Sequence, residues 1–341
     1  MKNVKRITAL LLILLLCGNL CACVSTLTPD ISYHDEEFFA MDTVMSVRVY
    51  TDHDGSESME LRRIVEELDR ELSASSEDGA LSQLNRTGQT DNAHIAELCR
   101  RGAELSARTD GALDLTLLPA SRLWGFPDKS YRIPAAEEIS ELRDVTGMDK
   151  LHVTDGAVRI DAGSAVDLGS LAKGYAADLC RKQMEDRKLC GILSLGGNLQ
   201  TVGSKPDGSD WRIGIKDPFS PDENMCVVSI ADKAVVTSGN YERYFEQDGK
   251  VYWHIIDPAD GCPADNGLVS VTIIGSKGLQ CDALSTALFV MGTDRAQTYL
   301  ADHTDVEAVL VTDDGRLLYT DGLREKLDIT GDMPSEVIAR D

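Results

Sequence analysis

Val227-Val228-Ser229-Ile230-Ala231-Asp232-Lys233-Ala234-Val235-Val236-Thr237 decides the fold class of this 341-residue chain. Two β-rich runs, 227–231 and 234–237, stand here with only Asp232 and Lys233 between them. The pattern extends on both sides, with strand signals at Gly191 to Leu195, Trp211 to Ile215, Val251 to Ile256 and Leu268 to Ile274. Strands and helices do not alternate one for one, as a doubly wound Rossmann sheet requires. The expected fold class is therefore α+β, with mixed, largely antiparallel sheets and packed helices.

Working outward, Thr43 to Tyr50 alternates like a strand, and Glu57 to Leu72 repeats apolar residues at helical spacing. Asp91 and Asn92 can cap a helix that runs to about Arg108 and ends at Gly111. Leu151 to Val153 and Ala157 to Ile160 flank the turn Thr154-Asp155-Gly156, and Val306 to Val311 and Arg316 to Tyr319 flank Asp313-Asp314-Gly315. A helix follows Asp167 to about Arg187, another spans Asp282 to Met291, and Asp294 starts a further one. No internal repeat is visible.

Lys2, Lys5 and Arg6 precede an apolar run from Ile7 to Cys17, and no charge follows until Asp30, the layout of a secretory signal peptide. The run is short for a spanning helix and is broken at Gly18, Asn19 and Ala22; a retained signal anchor is the other reading. Leu20-Cys21-Ala22-Cys23 resembles a bacterial lipobox, with Cys23 as the lipid acceptor. The expected organisation is a signal peptide over 1–22, a lipidated acidic tether over 23–37 and a folded body over 38–341. That body is expected to be exported and lipid-anchored at the outer face of the cell membrane.

The formal charge is −23, and −26 once Lys2, Lys5 and Arg6 leave with the signal peptide. So acidic a surface repels nucleic acid, and an anionic ligand would have to be held by local dipoles or a metal. Of nine cysteines, Cys99, Cys180, Cys190, Cys226, Cys262 and Cys281 fall in the body, scattered and without a Cys-x-x-Cys pair. They read as buried small apolar residues rather than zinc ligands, and a Cys180 to Cys190 bridge is permitted by the compartment.

Asp167-Leu-Gly-Ser-Leu-Ala-Lys173-Gly-Tyr-Ala-Ala-Asp178 suits a phosphate: free N–H groups at a helix start, a lysine and close-approach glycines. It lacks the Walker A spacing, so nucleotide hydrolysis of that kind is not implied, and an ordinary glycine-containing helix start fits equally. Asp282 and Thr286 stand four apart on one helix face and could form a hard oxygen site for Mg²⁺, or Asp282 could cap the helix while Thr286 bonds back to a carbonyl. His254, in His-Ile-Ile-Asp-Pro, can exchange a proton near neutral pH or serve structurally. The glycine-rich and hydroxyl-rich loops Leu195-Gly196-Gly197-Asn198 and Thr237-Ser238-Gly239-Asn240 either bind a ligand or simply turn. Leu123-Trp124-Gly125-Phe126 either lines a flat-ring pocket or covers core.

Taken in order, Met41-Asp42-Thr43, Gly111-Ala112-Leu113-Asp114, Leu123-Trp124-Gly125-Phe126, Asp167 to Asp178, Leu195-Gly196-Gly197, Trp211 to Pro218, Thr237-Ser238-Gly239, His254 to Pro258 and Asp282 to Gly292 form a series. The series resembles the ApbE family of FAD:protein FMN transferases and covers nearly everything from Phe38 to Gly292. The resemblance implies a two-lobed body with a central flavin cleft. FAD, the substrate, would be lined by Met41, Ala112, Leu113, Asp114, Asp167, Lys173, His254, Ile255 and Ile256. Mg²⁺ would be held by Asp282, Thr286 and a main-chain oxygen near Ser170, with Ser285 nearby. The implied reaction is attack of a Ser or Thr hydroxyl of an acceptor protein, such as a membrane redox-complex subunit, on the FMN phosphorus, releasing AMP. In this scheme Asp282 is catalytic through the metal, Lys173 steadies the phosphates, and His254 or a nearby carboxylate takes the proton.

Departures from the family pattern are Asp42 where glycine is common, Ser75 where an aromatic often stacks on flavin, Asp260 for a frequent threonine and Asn240 for a frequent aspartate. Two rival activities use the same residues: an FAD pyrophosphatase giving FMN and AMP, and an exported flavin-binding lipoprotein without chemistry.

Overall fold

The two runs that flank Asp232-Lys233 enter different sheets. In the computed structural model, which describes residues 32–76 and 78–340, β9 (Asn224–Ile230) joins a small sheet and β10 (Ala234–Gly239) the central one. Asp232 turns the chain between them with a left-handed backbone, φ 51°, a conformation aspartate enters more readily than most residues. The expected signal peptide and the expected lipid acceptor Cys23 lie outside the described residues.

The central sheet holds nine strands in chain order: β1 (Tyr33–Ala40), β2 (Thr43–Tyr50), β6 (Cys190–Leu195), β7 (Asn198–Val202), β10, β13 (Leu268–Gly275), β14 (Glu307–Thr312), β15 (Leu317–Thr320) and β17 (Ser335–Ile338). Every pairing in it is antiparallel except β15 with β17. Smaller sheets comprise β3 (Gln89–Thr90), β4 (Leu151–Thr154) and β5 (Ala157–Ile160); β8 (Trp211–Lys216), β9 and β16 (Leu327–Ile329); and β11 (Tyr244–Gln247) with β12 (Lys250–Trp253). Among the described residues the helices are α1 (Ser56–Leu72), α2 (Ala80–Thr87), α3 (Ala93–Arg108), α4 (Leu118–Leu123), α5 (Ala136–Glu141), α6 (Ala172–Asp186) and α7 (Gly278–Asp302). The α+β expectation holds.

Both faces of the central sheet are covered, so β13 carries apolar residues on both of its faces, interrupted only by Ser270 and Thr272. All eight of its residues are buried. Val271 and Ile273 pack with the helical residues Leu284, Ala287 and Leu288, whereas Ile274 packs with Trp211, Ile213 and Val228 of the small sheet. Each such side chain contributes about 1.5–3 kcal/mol of burial.

Two boundaries and one pairing differ from the sequence expectation. The first strand starts at Tyr33, not near Phe38, because its charges find cross-strand partners: Arg48 on β2 grips Asp35 at 2.7 Å and lies over the Tyr33 ring. The helix carrying Asp282 begins at Gly278 rather than at Asp282, and the backbone leaves helical geometry at Gly292 (φ 75°, ψ −178°), so the two helices expected on either side of that residue both stand within Gly278–Asp302. Cys180 and Cys190 do not pair, and the six described cysteines are free. Among the described residues no helix is long and apolar enough to cross a membrane.

Candidate active site

Helices α6 and α7 exchange caps across their N-termini. The Gly174 N–H, free because it belongs to the first turn of α6, donates to Asp282 Oδ2 at 2.8 Å. In return the Gly278 and Leu279 N–H groups of α7 donate to the two carboxylate oxygens of Asp178, at 2.8 and 3.0 Å. Glycine is required on both sides: a Cβ on Gly174 would stand 2.3 Å from the Gly278 carbonyl oxygen, and one on Gly278 2.6 Å from that of Gly174. Asp282 therefore lies in the second turn of α7 and does not cap its own helix.

Asp282 is only 5% exposed. Burial pushes its carboxyl above the usual range, while the Lys173 ammonium, the Gly174 N–H and the Asn198 amide act in the opposite direction. Helical geometry would send the Gly174 N–H back to Ser170 O; its donation to Asp282 frees the Ser170 carbonyl from the ladder. One turn beyond Asp282, hydroxyls gather. Ser285 Oγ donates to the Asp282 carbonyl at 2.8 Å and meets Ser238 Oγ of β10 at 2.8 Å, and Thr286 Oγ1 lies 3.4 Å from the same Ser238. The back-bond to a carbonyl is thus made by Ser285.

His254 follows the last residue of β12. Its backbone N–H donates to Arg243 O at 3.0 Å, and its Nδ1 lies 3.2 Å from the same oxygen. Burial, then the Arg243 and Lys173 charges, push its pKa down from 6.5 to about 4, so the ring is neutral at pH 7. Arg243 also reaches Asp42 at 3.8 Å, which ties the Met41-Asp42 turn to the segment after β12 that carries His254; the strand expected to run to Ile256 ends at Trp253. The next residue, Thr43, packs on Gly196, where a Cβ would stand 2.2 Å from Thr43 Cγ2.

Asp114 Oδ1 accepts from the Thr116 backbone N–H and hydroxyl at 2.7 and 2.6 Å, and burial raises its pKa. Its neighbour Leu115 accepts from the Asp167 N–H at 2.8 Å, which brings the two expected flavin carboxylates to one seam. Asp167 Oδ1 closes a turn onto the Gly169 N–H at 2.8 Å. Ala112, Leu113, Ile255 and Ile256 are buried core residues, so their side chains pack inward. Trp124 is buried too, and its Nε1–H donates to Gly261 O at 2.9 Å; it covers core and braces the turn after His254. Phe126 meets the His254 ring edge-on at 6.5 Å and contacts Phe245.

The family model for ApbE matches residues 41–310. The chain belongs to the ApbE family. It is similar to the FAD:protein FMN transferase of Vibrio cholerae, 33% identical over 266 residues that cover 75% of this chain and 80% of that one. The Escherichia coli K12 protein of the same name is 34% identical, covering 72% and 74%. The crystal structure of an ApbE protein from Thermotoga maritima superposes with a TM-score of 0.82 at 29% identity, covering 86% of this chain and 99% of that one. The apo flavinyl transferase ApbE of Pseudomonas stutzeri gives 0.78 at 31% identity, covering 87% and 97%.

Four residues of this ApbE chain carry site geometry that the sequence reading did not assign: Asp178, Asn198, Ser238 and Arg243. Asp178, Asn198 and Ser238 stand inside the quoted motifs; their orientation toward α7 was the missing part. A groove of about 320 Å³ opens elsewhere, lined by Ile64, Glu67, Glu71, His94 and Leu179 among others, and shares no residue with this site.

Proposed function

We propose that this chain transfers FMN from FAD to a Ser or Thr hydroxyl of an acceptor protein, with Mg²⁺, releasing AMP. The observation that carries the reading is the buried Asp282 carboxylate, held by Gly174 and followed one turn later by the Ser285, Thr286 and Ser238 hydroxyls. A hard cation suits this donor set of carboxylate, hydroxyl and main-chain oxygens, with Asp282, Thr286 and Ser170 O as the holding groups and Ser285 beside them. When bound, Mg²⁺ would supply Lewis-acid withdrawal of charge from the pyrophosphate oxygens.

The remaining roles belong to the chain. Lys173, close enough to lower the pKa of both Asp282 and His254, adds positive charge beside the phosphates. With a proton on Nδ1 facing Arg243 O, His254 presents Nε2 as the base that takes the proton of the attacking hydroxyl. The hydroxyl oxygen bonds to the FMN phosphorus, the phosphoanhydride bond breaks, and AMP leaves. Export behind the signal peptide and lipidation at Cys23 would place this chemistry at the outer face of the cell membrane, within reach of membrane acceptors.

Incubation with FAD, Mg²⁺ and exported proteins, followed by flavin fluorescence in denaturing gels, tests the reading. A covalently labelled acceptor supports it. Free FMN with AMP and no label would assign a pyrophosphatase, and unchanged FAD a binding protein.

A further inference from the structure

Asn198 is fully buried at the first position of β7, yet neither its Nδ2 nor its Oδ1 has a hydrogen-bond partner among the described residues. Leaving a buried amide unpaired disfavours folding, and such groups are rare outside sites with a function. The backbone fixes where this one points. Gly196 (φ 60°) and Gly197 (φ 83°) form the two-residue turn between β6 and β7. The register then sets Asn198 opposite Val236 of β10. Val236 belongs to the core on the α7 side of the sheet, and directly opposed residues share a face. Two residues further along β10 and on that face, Ser238 meets Ser285 and Thr286. Asn198 also lies against Asp282, near enough for its amide to favour the charged carboxylate but short of hydrogen-bond geometry.

We propose that Asn198 is a positioning residue, whose amide holds the Asp282 carboxylate in the orientation that receives the cation. The proposal rests on the reading of Asp282 as a metal ligand given above. It assigns the otherwise unused donor to the carboxylate oxygens, in the way outer partners commonly orient metal-binding carboxylates. Gly174 fixes Asp282 from the α6 side and Asn198 from the sheet side.

The test uses the whole chain, metal-free and titrated with Mn²⁺ as a spectroscopic substitute for Mg²⁺. In Asn198→Leu and Asn198→Ala, Mn²⁺ affinity is expected to fall about ten-fold or more. Metal-free melting of the leucine variant should stay at or above that of the parent, because an unpaired amide has been removed. If both variants bind Mn²⁺ like the parent while Asp282→Ala abolishes binding, Asn198 merely fills space and the proposal is overturned. If Asp282→Ala also binds like the parent, or the parent does not bind, the metal reading itself fails and carries this proposal with it.

Discussion

The Gly174 N–H donates to Asp282 Oδ2 at 2.8 Å, joining two residues 108 positions apart and aiming the carboxylate by a helix terminus. The contact exists only because α6 and α7 approach through Gly174 and Gly278. Gly174→Ala should destabilise the fold by about 1–3 kcal/mol, since its Cβ meets backbone rather than a movable side chain. It should also cost transfer activity, because Asp282 shifts with α7. Denaturant unfolding and kcat/KM of the one variant check both halves.

Asp282 itself should be a poor stabiliser. Its carboxyl pKa is raised by burial, so between the ordinary 3.8 and the folded value the native state binds more protons than the unfolded one. Stability contributed by the neutral form is therefore lost as pH rises through that window. Asp282→Asn is expected to melt at or above the parent in EDTA at pH 7 while losing Mg²⁺-dependent activity. A clear drop in metal-free melting would mean that the charge serves the fold.

For His254 the sign is the opposite of an ion-paired histidine. Its folded pKa lies near 4 against an ordinary 6.5, so between these values the unfolded chain binds more protons. The associated stability is complete above 6.5 and declines as pH falls toward 4. His254→Gln should flatten that part of the stability profile. If the ring is the base, its acid limb in kcat/KM should sit well below pH 6.5; a limb at or above 6.5 would contradict the assignment.

Met41 and Asp42 form the two-residue turn between β1 and β2, both left-handed at φ 46° and 60°. Glycine at position 42 would carry no such penalty. Asp42→Gly should raise stability by about 1 kcal/mol. Its exposed 3.8 Å pair with Arg243 offers little to offset this. Thermal melts of the parent and variant measure the difference.

Local signals in the sequence carried much of this structure. β10, β13 and the hairpin of β4 and β5 lie close to where β-rich runs and the Asp155-Gly156 turn place them, because burial and turn chemistry are properties of short windows. Asn92 caps α3 as read, its side chain accepting from the Ile95 N–H. What escaped depended on distant partners. Tyr33 to Glu37 looked like tether until Arg48 supplied a cross-strand partner. Asp178 looked like the end of a phosphate segment until the N-terminus of α7 met it. Asn198 looked like a loop residue, and only the β6–β7 turn and the pairing with Val236 reveal that it faces α7.

The most direct test of FMN transfer at Asp282 is mass spectrometry of an acceptor protein after incubation with FAD and Mg²⁺, alongside quantification of released AMP. The account predicts FMN bound through a Ser or Thr oxygen, AMP equimolar with it, and loss of both in Asp282→Ala. Covalent FMN formed undiminished by Asp282→Ala, or AMP released with the acceptor unmodified, would contradict it.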